Sequence, residues 1–427
     1  MTGLIAVYAF DDVWNVGRFV YYGLLSLNHR GQDKYIIHVL GKDGIETLYV
    51  NELDDDALNR ISSQRPWAAI AGAFPPFVDV EKAVYLANDN GANVAVIMDR
   101  GPNAITAEEL GNKIHDYLRQ GISLDKALSK ILLSSDSDIW SLLVLSSNGE
   151  LIVYRGSKGL RPLAIGGYGF DMVFVSTETS SINILGGEPR KSMNPGEALY
   201  VSRYLVKFFR IHESSKSKLC IFELLYLSRP DSDIDGINVY EFRKRLGEEL
   251  AKVFRGKIDL VVPVPETATP YAIGFAQALN KRFEMGFVST GSKVRSALRL
   301  DPLERLIAIQ LKMNPIKNVL SGKSVALIDD SIVTGLTMKT LAQILRNRIG
   351  VRELHIVIAS PKLVNECPFN ILPYKRQELL ASNVNEEDFV KVLEADSVTW
   401  LDLNILRNVS QEFNINPCIN CLLEVIR

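Results

Sequence analysis

The first half of the chain places its hydrophobic residues in short runs that are typical of β-strands. The clearest runs are Leu4–Ala9, Trp140–Ser146, Leu151–Arg155, Met172–Ser176 and Ala198–Val201. The tetrapeptide Ser147-Asn-Gly-Glu150 separates the second run from the third and predicts a hairpin. Two other segments, Gly17–Asn28 and Ala107–Gln120, repeat their hydrophobic residues at helical spacing. Strands, hairpins and a few helices together predict a layered α+β domain.

The second half has a different rhythm, in which a short apolar run is followed by a loop and then by a helical stretch. Asp259–Pro263 precedes a predicted helix from Pro270, Ser324–Ile328 precedes one from Leu336, and Glu353–Ala359 precedes a loop. This alternation predicts βαβ units and a parallel sheet. The polar segment His212–Lys218 separates the two patterns and is the candidate linker, although it could equally form the tip of a hairpin. We therefore predict two domains, over residues 1–210 and 211–427.

Composition and charge limit the classes of function. The chain has 427 residues, of which 47% are apolar and 23% charged, and its formal net charge is −2. Neither a basic excess nor a block of like charge appears, which argues against nucleic-acid and membrane partners. No run approaches the roughly 20 apolar residues of a spanning helix, and the N-terminal segment Met1–Tyr8 lacks the basic region of a signal peptide. We expect a cytoplasmic protein.

A candidate phosphate-binding segment follows the apolar run Val325–Ile328. Two acids, Asp329 and Asp330, end this predicted strand. The turn after them contains Ser331, Thr334, Gly335 and Thr337 and leads into a predicted helix. Such a turn offers free backbone N–H groups and a helix N-terminus to a phosphate, and paired acids can contact ribose hydroxyls or Mg²⁺. The alternative is an ordinary strand-to-helix turn with capping Asp and Thr side chains.

The segment Val325–Thr337 resembles the signature of type I phosphoribosyltransferases. Other stretches resemble the family of glutamine phosphoribosylpyrophosphate amidotransferases, namely Cys220–Ser232, Val239–Leu250, Val262–Ala276, Ile358–Pro361, Asn28–Gln32 and Gly159–Leu163. The resemblance covers nearly the whole chain. It implies an α+β N-terminal-nucleophile (class II glutamine amidotransferase-like) sandwich followed by an α/β type I phosphoribosyltransferase domain. It also implies a pyrophosphate loop in which Glu266 and Thr267 bind substrate, with Thr267 near the Mg²⁺ of Asp329 and Asp330.

The four cysteines all lie in the second half, and the last two form a Cys-x-x-Cys pair. They are Cys220, Cys367, Cys418 and Cys421. Their spacing alone is compatible with structural zinc, a redox pair, an iron–sulfur cluster or four unrelated buried thiols. The resemblance favours one of these, because the iron–sulfur branch of the family has ligands at the corresponding places. It implies a [4Fe–4S] cluster with a structural role.

The first half departs from the family at the positions that hydrolyse glutamine. The family has a cysteine nucleophile directly after the initiator Met, where this chain has Thr2. The segment Ala68–Pro76 lacks the family's carboxylate-binding Arg, and Met98–Asn103 contains Pro102 where the family uses a glycine N–H to bind the oxyanion. The segment Gly121–Ser137 is also shorter than in the family. These losses predict an inactive glutaminase, although threonine can serve as an N-terminal nucleophile elsewhere.

The transferase half matches the family except in the segment that the family uses as a flexible loop over the substrate. A gapless alignment places Ser289-Thr-Gly-Ser292 where the family has a basic, Tyr-containing run, while Arg295, Arg305 and Lys312 stay in register. The resemblance makes Arg295 and Lys312 the candidate catalytic residues of the transferase. The alternative for each basic residue is a solvated helix face.

Three functions remain open. In the first, the protein is a pentosyltransferase of de novo purine synthesis that forms phosphoribosylamine from phosphoribosyl pyrophosphate, with ammonia that is free or supplied by a partner. In the second, which the altered loop favours, it is a non-catalytic paralogue that binds phosphoribosyl pyrophosphate or a purine nucleotide and regulates or scaffolds an active homologue. The third is a salvage-type transferase, prompted by Thr334 where the family usually has Arg. We take the first as our prediction and expect a homo-oligomer, or a hetero-oligomer with an active homologue.

Overall fold

The computed structural model describes residues 2–87, 93–135, 138–213, 216–289, 309–311 and 313–423. Its first half contains strands β1 (Gly3–Ala9), β2 (Lys34–Gly41), β3 (Gly44–Val50), β4 (Ala68–Phe74), β5 (Val84–Ala87), β6 (Val94–Arg100), β7 (Ile139–Ser146), β8 (Glu150–Arg155), β9 (Ala164–Tyr168), β10 (Met172–Ser176), β11 (Glu188–Ser192), β12 (Glu197–Ser202) and β13 (Leu205–Arg210). They form two antiparallel sheets with the strand orders β11-β9-β10-β1-β4-β2-β3 and β13-β12-β8-β7-β6-β5. The sheets pack face to face, and Leu4 of β1 shares the core between them with Ile97 and Leu143.

Helices cover the outer faces of both sheets. They are α1 (Gly17–Ser26), α2 (Asp55–Ser62), α3 (Val80–Ala83), α4 (Ala107–Arg119), α5 (Leu124–Ser135) and α6 (Thr179–Ile184). Leu24 of α1 and Ile182 of α6 pack in a core with β1, on the outer face of the seven-stranded sheet. Leu110 of α4 and Leu128 of α5 pack in a core with β6 and β7. The first half is therefore a four-layer helix–sheet–sheet–helix sandwich, as the resemblance implied.

The second half is built on a parallel sheet. Its strands are β14 (Asp233–Ile234), β15 (Ile237–Asn238), β16 (Leu260–Pro263), β17 (Arg282–Phe283), β18 (Phe287–Val288), β19 (Asn314–Pro315), β20 (Ser324–Asp329), β21 (Glu353–Ile358) and β22 (Ser397–Trp400). The five-stranded sheet has the order β17-β16-β20-β21-β22, and all its pairings are parallel. The helices are α7 (Val239–Val253), α8 (Thr269–Ala278), α9 (Lys317–Leu320), α10 (Leu336–Gln343), α11 (Leu380–Asn383), α12 (Phe389–Val392) and α13 (Leu403–Glu412). Among the described helices, none is long and apolar enough to cross a membrane.

The predicted elements agree with the structure to within about two residues at most ends. The turn at Ser147–Glu150 is a hairpin in which the N–H of Gly149 donates to the carbonyl of Ser146. The predicted helix Gly17–Asn28 ends earlier, at Ser26. Among the described residues, β13 pairs with β12 and the next strand begins only at Asp233, so His212–Lys218 does not join two paired strands and is not a hairpin tip.

The candidate linker is held by both halves of the chain. The N–H groups of Ile211 and His212 lie within 3.3 Å of the Gly196 carbonyl in the first half. Ser217 donates a hydrogen bond to Asp235 in the second half at 3.0 Å. Asp235 also accepts two hydrogen bonds from the buried Arg155 of β8, at 2.6 and 2.8 Å. The connection is therefore packed against the body of the protein.

Candidate active sites

The carboxyl edge of the parallel sheet brings together the segments that were predicted to bind substrate. β16 and β20 pair in register, and the N–H of Val264 donates to the Ile328 carbonyl at 2.8 Å. On the other side of β20, the N–H of Ala359 donates to the Asp329 carbonyl at 2.9 Å. The loop after β16, which contains Glu266 and Thr267, therefore lies beside the acid pair. Ligands of open α/β sheets bind at such an edge.

The charged forms of the two acids at this edge, Asp329 and Asp330, are destabilised by their surroundings. Desolvation, and next the charge of Asp330, raise the pKa of Asp329 well above its usual range. Desolvation also raises the pKa of Asp330, although hydrogen bonds from Thr267 and Ser331 partly offset it. The Ser331 hydroxyl donates to Asp330 at 2.7 Å, and the Thr267 hydroxyl donates to its other oxygen. Asp330 is buried and Asp329 is half-buried. Two adjacent carboxylates repel each other, so a bound cation would stabilise their charged forms.

The turn after the acid pair presents unused donors. Among the described residues, none of the backbone N–H groups from Ser331 to Gly335 has an acceptor. Gly335 has φ +75°, in the left-handed region, and a Cβ at this position would come within 2.8 Å of the Leu380 side chain. A larger residue would therefore disturb the turn. Thr334 and Thr337 are exposed at its rim, where α10 begins. This arrangement is suited to a phosphate group.

A buried arginine behind the acid pair was not predicted from the sequence. Arg243 of α7 is fully buried, and its guanidinium donates to the carbonyls of Leu224 and Ser228 at 2.7 and 2.8 Å. Its charge lowers the pKa of Asp330 and so opposes the effect of burial. Arg243 lies on the buried stripe of the amphipathic helix α7. An arginine at an apolar position of a helical pattern is unusual, and this was the signal in the sequence that could have identified it.

Thr2, which the resemblance places at the position of the family's glutaminase nucleophile, is buried. Thr2 is 1% exposed, and its hydroxyl donates to Asp99 at 3.1 Å. The N–H of Gly101 donates to the Asp138 carbonyl at 2.7 Å, and the next residue, Pro102, has no N–H. These two backbone positions therefore offer no donor to an oxyanion.

Asp99 is the first member of a buried ionic chain, which we define as Asp99, Arg161, Glu223, Arg30 and Glu178. Arg161 donates to Asp99 at 3.0 Å and to Glu223 at 2.5 Å. Arg30 donates to the other oxygen of Glu223 at 2.6 Å and also pairs with Glu178. All five side chains are at most 5% exposed. This ionic chain connects the position of Thr2 with the second half of the protein, to which Glu223 belongs.

The four cysteines lie together at the junction of the C-terminal segment and the core. Cys220 and Cys418 form a parallel β-bridge, and the N–H of Cys418 donates to the Leu219 carbonyl at 2.8 Å. The Cys421 carbonyl accepts from Val364 and Asn365 at 3.0 Å, just before Cys367. Burial, and next the neighbouring thiols, raise the pKa of Cys220 and that of Cys421, the latter to about 12.

The cysteine group is not a single-ion site. Among the described residues, no three His, Cys, Asp or Glu side chains converge on the position of one metal ion. A [4Fe–4S] cluster is held differently, because each thiolate binds its own iron. The grouping of four thiols at the end of a hydrophobic core therefore fits a cluster in kind. The predicted transferase residues Arg295 and Lys312 lie outside the described residues.

Comparisons with known proteins agree with this architecture. No protein-family model matches the chain. The chain is 30% identical to the amidophosphoribosyltransferase of Methanothermobacter thermautotrophicus, over 95% of this chain and 90% of the relative. It is 27% identical to the Bacillus subtilis enzyme of the same name, over 95% and 89% of the two chains.

Solved structures show the same similarity. The glutamine phosphoribosylpyrophosphate amidotransferase of B. subtilis, solved with ADP and GMP, superposes with a TM-score of 0.84 at 26% identity. The superposition covers 98% of this chain and 96% of that one. Both halves of the fold, and not only the phosphate-binding half, are therefore shared with these proteins. The chain belongs to the amidophosphoribosyltransferase family.

Proposed function

We propose that this protein forms phosphoribosylamine by joining ammonia to the ribose of phosphoribosyl pyrophosphate. The observation that carries the proposal is the sheet edge, where the unused N–H groups of Ser331–Gly335 lie beside Asp329 and Asp330. Backbone N–H groups bind phosphate oxygens, and carboxylates bind ribose hydroxyls or a divalent cation. One edge thus offers partners for both charged ends of the substrate. The names of the curated relatives support the same activity.

Each segment of the edge would have a distinct task. The turn Ser331–Thr337 would hold the substrate's phosphate, and the loop with Glu266 and Thr267 would hold its pyrophosphate. Thr267, Asp329 and Asp330 would hold Mg²⁺, which supplies positive charge beside the departing pyrophosphate. The ammonia nitrogen forms a bond to the anomeric carbon while the carbon–oxygen bond to pyrophosphate breaks, and the nitrogen then loses one proton. Arg295 and Lys312 remain our candidates for further substrate contacts.

We propose that the nitrogen comes from free ammonia or from a partner protein, because the glutaminase is inactive. The Thr2 hydroxyl is buried against Asp99. The nearby N–H of Gly101 is already bonded, and Pro102 has none. A nucleophile without an accessible position and without an oxyanion hole cannot accelerate amide hydrolysis appreciably.

We also propose that Cys220, Cys367, Cys418 and Cys421 hold a [4Fe–4S] cluster. Its support is the grouping of the four thiols and the resemblance of their spacing to the iron–sulfur branch of the family. The raised pKa values of Cys220, Cys418 and Cys421 mean that these three thiols are protonated without iron, so cluster binding would release protons. The cluster would join the C-terminal segment to the core, which is a structural task.

The second candidate function is a non-catalytic paralogue that binds the same ligand and regulates an active homologue. The altered segment Ser289–Ser292, which stands where the family has a basic, Tyr-containing run, favours it. The protein would then assemble with the active homologue, whereas the enzyme would form a homo-oligomer. The two functions share the ligand and differ in turnover.

Replacing both acids tests the substrate site. Asp329→Asn with Asp330→Asn should weaken Mg²⁺-dependent binding of phosphoribosyl pyrophosphate at least tenfold, about 1.4 kcal/mol, because the cation loses both charged ligands. Isothermal calorimetry measures this directly. The matched control is Asp259→Asn, which changes an exposed carboxylate at the amino end of the same sheet and should bind like the wild type. Equal binding by the double variant and the wild type would show that the site is elsewhere.

The same preparation separates the two functions. Wild-type protein with phosphoribosyl pyrophosphate, Mg²⁺ and ammonium at alkaline pH should release pyrophosphate if it is the enzyme. If the wild type binds phosphoribosyl pyrophosphate but releases no more pyrophosphate than the double variant, the protein is the non-catalytic paralogue and not the enzyme.

Glutamine hydrolysis should be absent, with or without phosphoribosyl pyrophosphate. The physical reason is the buried Thr2 hydroxyl and the missing oxyanion donors. Glutamate release is measured for the wild type and for Thr2→Ala, which serves as the blank. Release by the wild type clearly above that of Thr2→Ala would mean that Thr2 acts as a nucleophile.

A further inference from the structure

Arg243, the buried arginine behind the acid pair, has no task in the proposed reaction. Two of its nitrogens donate to backbone carbonyls, Nε to Leu224 at 2.7 Å and Nη2 to Ser228 at 2.8 Å. The third nitrogen, Nη1, is buried and has no acceptor among the described residues. A buried cation whose hydrogen-bond partners are all neutral is unfavourable unless a negative charge lies nearby.

The acid pair supplies that negative charge. The described partners of the two carboxylates are themselves uncharged: the hydroxyls of Thr267 and Ser331 for Asp330, and the N–H of Asp330 for Asp329. Desolvation raises the pKa of Asp330, and the charge of Arg243 opposes this rise. With both acids ionised, the group has two negative charges and one fixed positive charge. Its net charge is then −1, and not the −2 of the acids alone.

Tyr271 of α8 is a second link between Arg243 and the acid pair. It is fully buried, and its hydroxyl donates to the Leu225 carbonyl at 2.9 Å, next along the chain from the Leu224 carbonyl that Arg243 binds. Desolvation raises the pKa of Tyr271, the charge of Arg243 lowers it and that of Asp330 raises it. Both charges therefore act on one buried hydroxyl. Water is excluded from such a region and screens the interaction little.

The backbone fixes the position of the Arg243 guanidinium. Its two acceptors lie at the single π-helical turn Glu223–Leu227 and at the residue directly after it. One turn further along α7, a Cβ on Gly247 would meet the Tyr271 carbonyl oxygen at 2.1 Å, so α7 and α8 are in direct contact. A guanidinium held in such a packed interior keeps its place when a ligand binds. Its charge therefore acts on every ligand of the acid pair.

A fixed positive charge discriminates between the two forms in which a divalent cation can reach the acids. A bare Mg²⁺ ion is attracted by the carboxylates but repelled by Arg243. A complex of Mg²⁺ with pyrophosphate is an anion, because pyrophosphate carries more negative charge than the ion neutralises, and Arg243 attracts it. Electrostatic energy in a protein interior falls only with the inverse of distance, so this difference does not require direct contact.

We propose that Arg243 is a specificity-determining residue of the transferase site, which makes the acid pair bind its divalent cation as a complex with pyrophosphate or the phosphoribosyl substrate and not as the bare ion. The inference rests on the proposed function, because it takes Asp329 and Asp330 as ligands of the cation. It deepens that function, since cation and substrate then arrive together. Arg243 acts through its charge on the carboxylates.

Calorimetric titration of the full-length protein with Mn²⁺ and with the Mn²⁺–pyrophosphate complex tests the inference. Mildly alkaline pH is chosen because protons then compete less with the metal for the carboxylates. Arg243→Gln should bind Mn²⁺ alone at least tenfold more tightly than the wild type, and the complex at least tenfold more weakly. Damage to the fold would weaken both, so only a lost charge moves the two affinities in opposite directions.

Three further variants isolate the charge of Arg243. Arg243→Lys keeps the charge but loses the guanidinium fork, and it should bind both ligands like the wild type. Arg245→Gln removes the same charge from a half-buried position of α7 that is paired with Glu412, and it should also bind like the wild type. Asp329→Asn with Asp330→Asn, added to Arg243→Gln, should abolish the gain in Mn²⁺ affinity.

The inference is overturned if Arg243→Gln binds Mn²⁺ alone no more tightly than the wild type, if Arg243→Lys shows the same shifts, or if the gain survives without the acid pair. Should Arg243→Gln not fold, the wild type decides. It should bind the complex at least tenfold more tightly than Mn²⁺ alone, and equal affinities overturn the inference. Release of pyrophosphate with ammonia tests the proposed function separately. Opposite shifts without any release would contradict the enzyme and still support the role of Arg243.

Discussion

Glu223→Ala is expected to lower the free energy of unfolding by about 3–5 kcal/mol, the typical result of removing one partner from a buried ionic group. Glu223 is fully buried and accepts hydrogen bonds from both Arg30 and Arg161. Without it, two buried guanidinium groups face each other with no charge between them. Chemical unfolding of the wild type and the variant at neutral pH measures the difference.

The electrostatics of the ionic chain explain the size of this effect. Burial by itself would raise the pKa of Glu223, but the charges of Arg30 and Arg161 outweigh it and lower that pKa. Burial would likewise lower the pKa of Arg30, whereas Glu178 and Glu223 raise it. Each side chain is therefore kept charged by its neighbours, and removal of the central carboxylate, Glu223, affects both Arg30 and Arg161. Because Glu223 belongs to the second half and Arg30 to the first, the variant should also weaken the contact between the halves.

The matched control for Glu223→Ala is Glu412→Ala. Glu412 also accepts two hydrogen bonds from one arginine, Arg245, but its side chain is 47% exposed. Exposed pairs of this kind typically contribute about 1 kcal/mol or less. A Glu223→Ala variant that is no less stable than Glu412→Ala would show that the ionic chain does not hold the fold.

Cys418→Ser is expected to abolish iron binding and to lower stability by several kcal/mol. If the four thiols hold a [4Fe–4S] cluster, much of the cluster's binding free energy contributes to folding, and for structural zinc that quantity is on the order of 10 kcal/mol. Protein purified without oxygen should be brown and contain about four irons per chain, which is the iron content of one [4Fe–4S] cluster. Iron analysis, the visible absorption spectrum and chemical unfolding are the three measurements.

The control for this variant is Asn420→Ser. Asn420 is exposed in the same short turn, between Cys418 and Cys421, so its replacement disturbs the backbone similarly without removing a thiol. It should retain the iron and the stability of the wild type. Colourless, fully folded wild-type protein with one zinc per chain would contradict the cluster.

The segments that we propose to bind substrate were predictable from the sequence because each is local. The strand Ser324–Ile328, its two terminal acids and the glycine-containing turn lie within a few residues, and β20 ends at Asp329 with the turn directly after it. The four cysteines were assigned only through resemblance, since spacing alone left zinc and redox alternatives. The helix predicted over Gly17–Asn28 ends at Ser26, and the turn after it carries Arg30 to Glu178, a partner 148 residues away. Local sequence does not encode such a partner.

The sequence by itself determined the elements of this protein, because hydrophobic periodicity and turn residues act between near neighbours. It also determined which residue types are available for chemistry, through Asp329 and Asp330 in the second half and Thr2 and Pro102 in the first. Only the tertiary structure decided which distant groups meet. It placed Thr2 on Asp99, joined Arg161 to Glu223 and set Arg243 behind the acid pair. These contacts depend on how the sheets and helices pack, and packing is a property of the whole chain rather than of any segment in it.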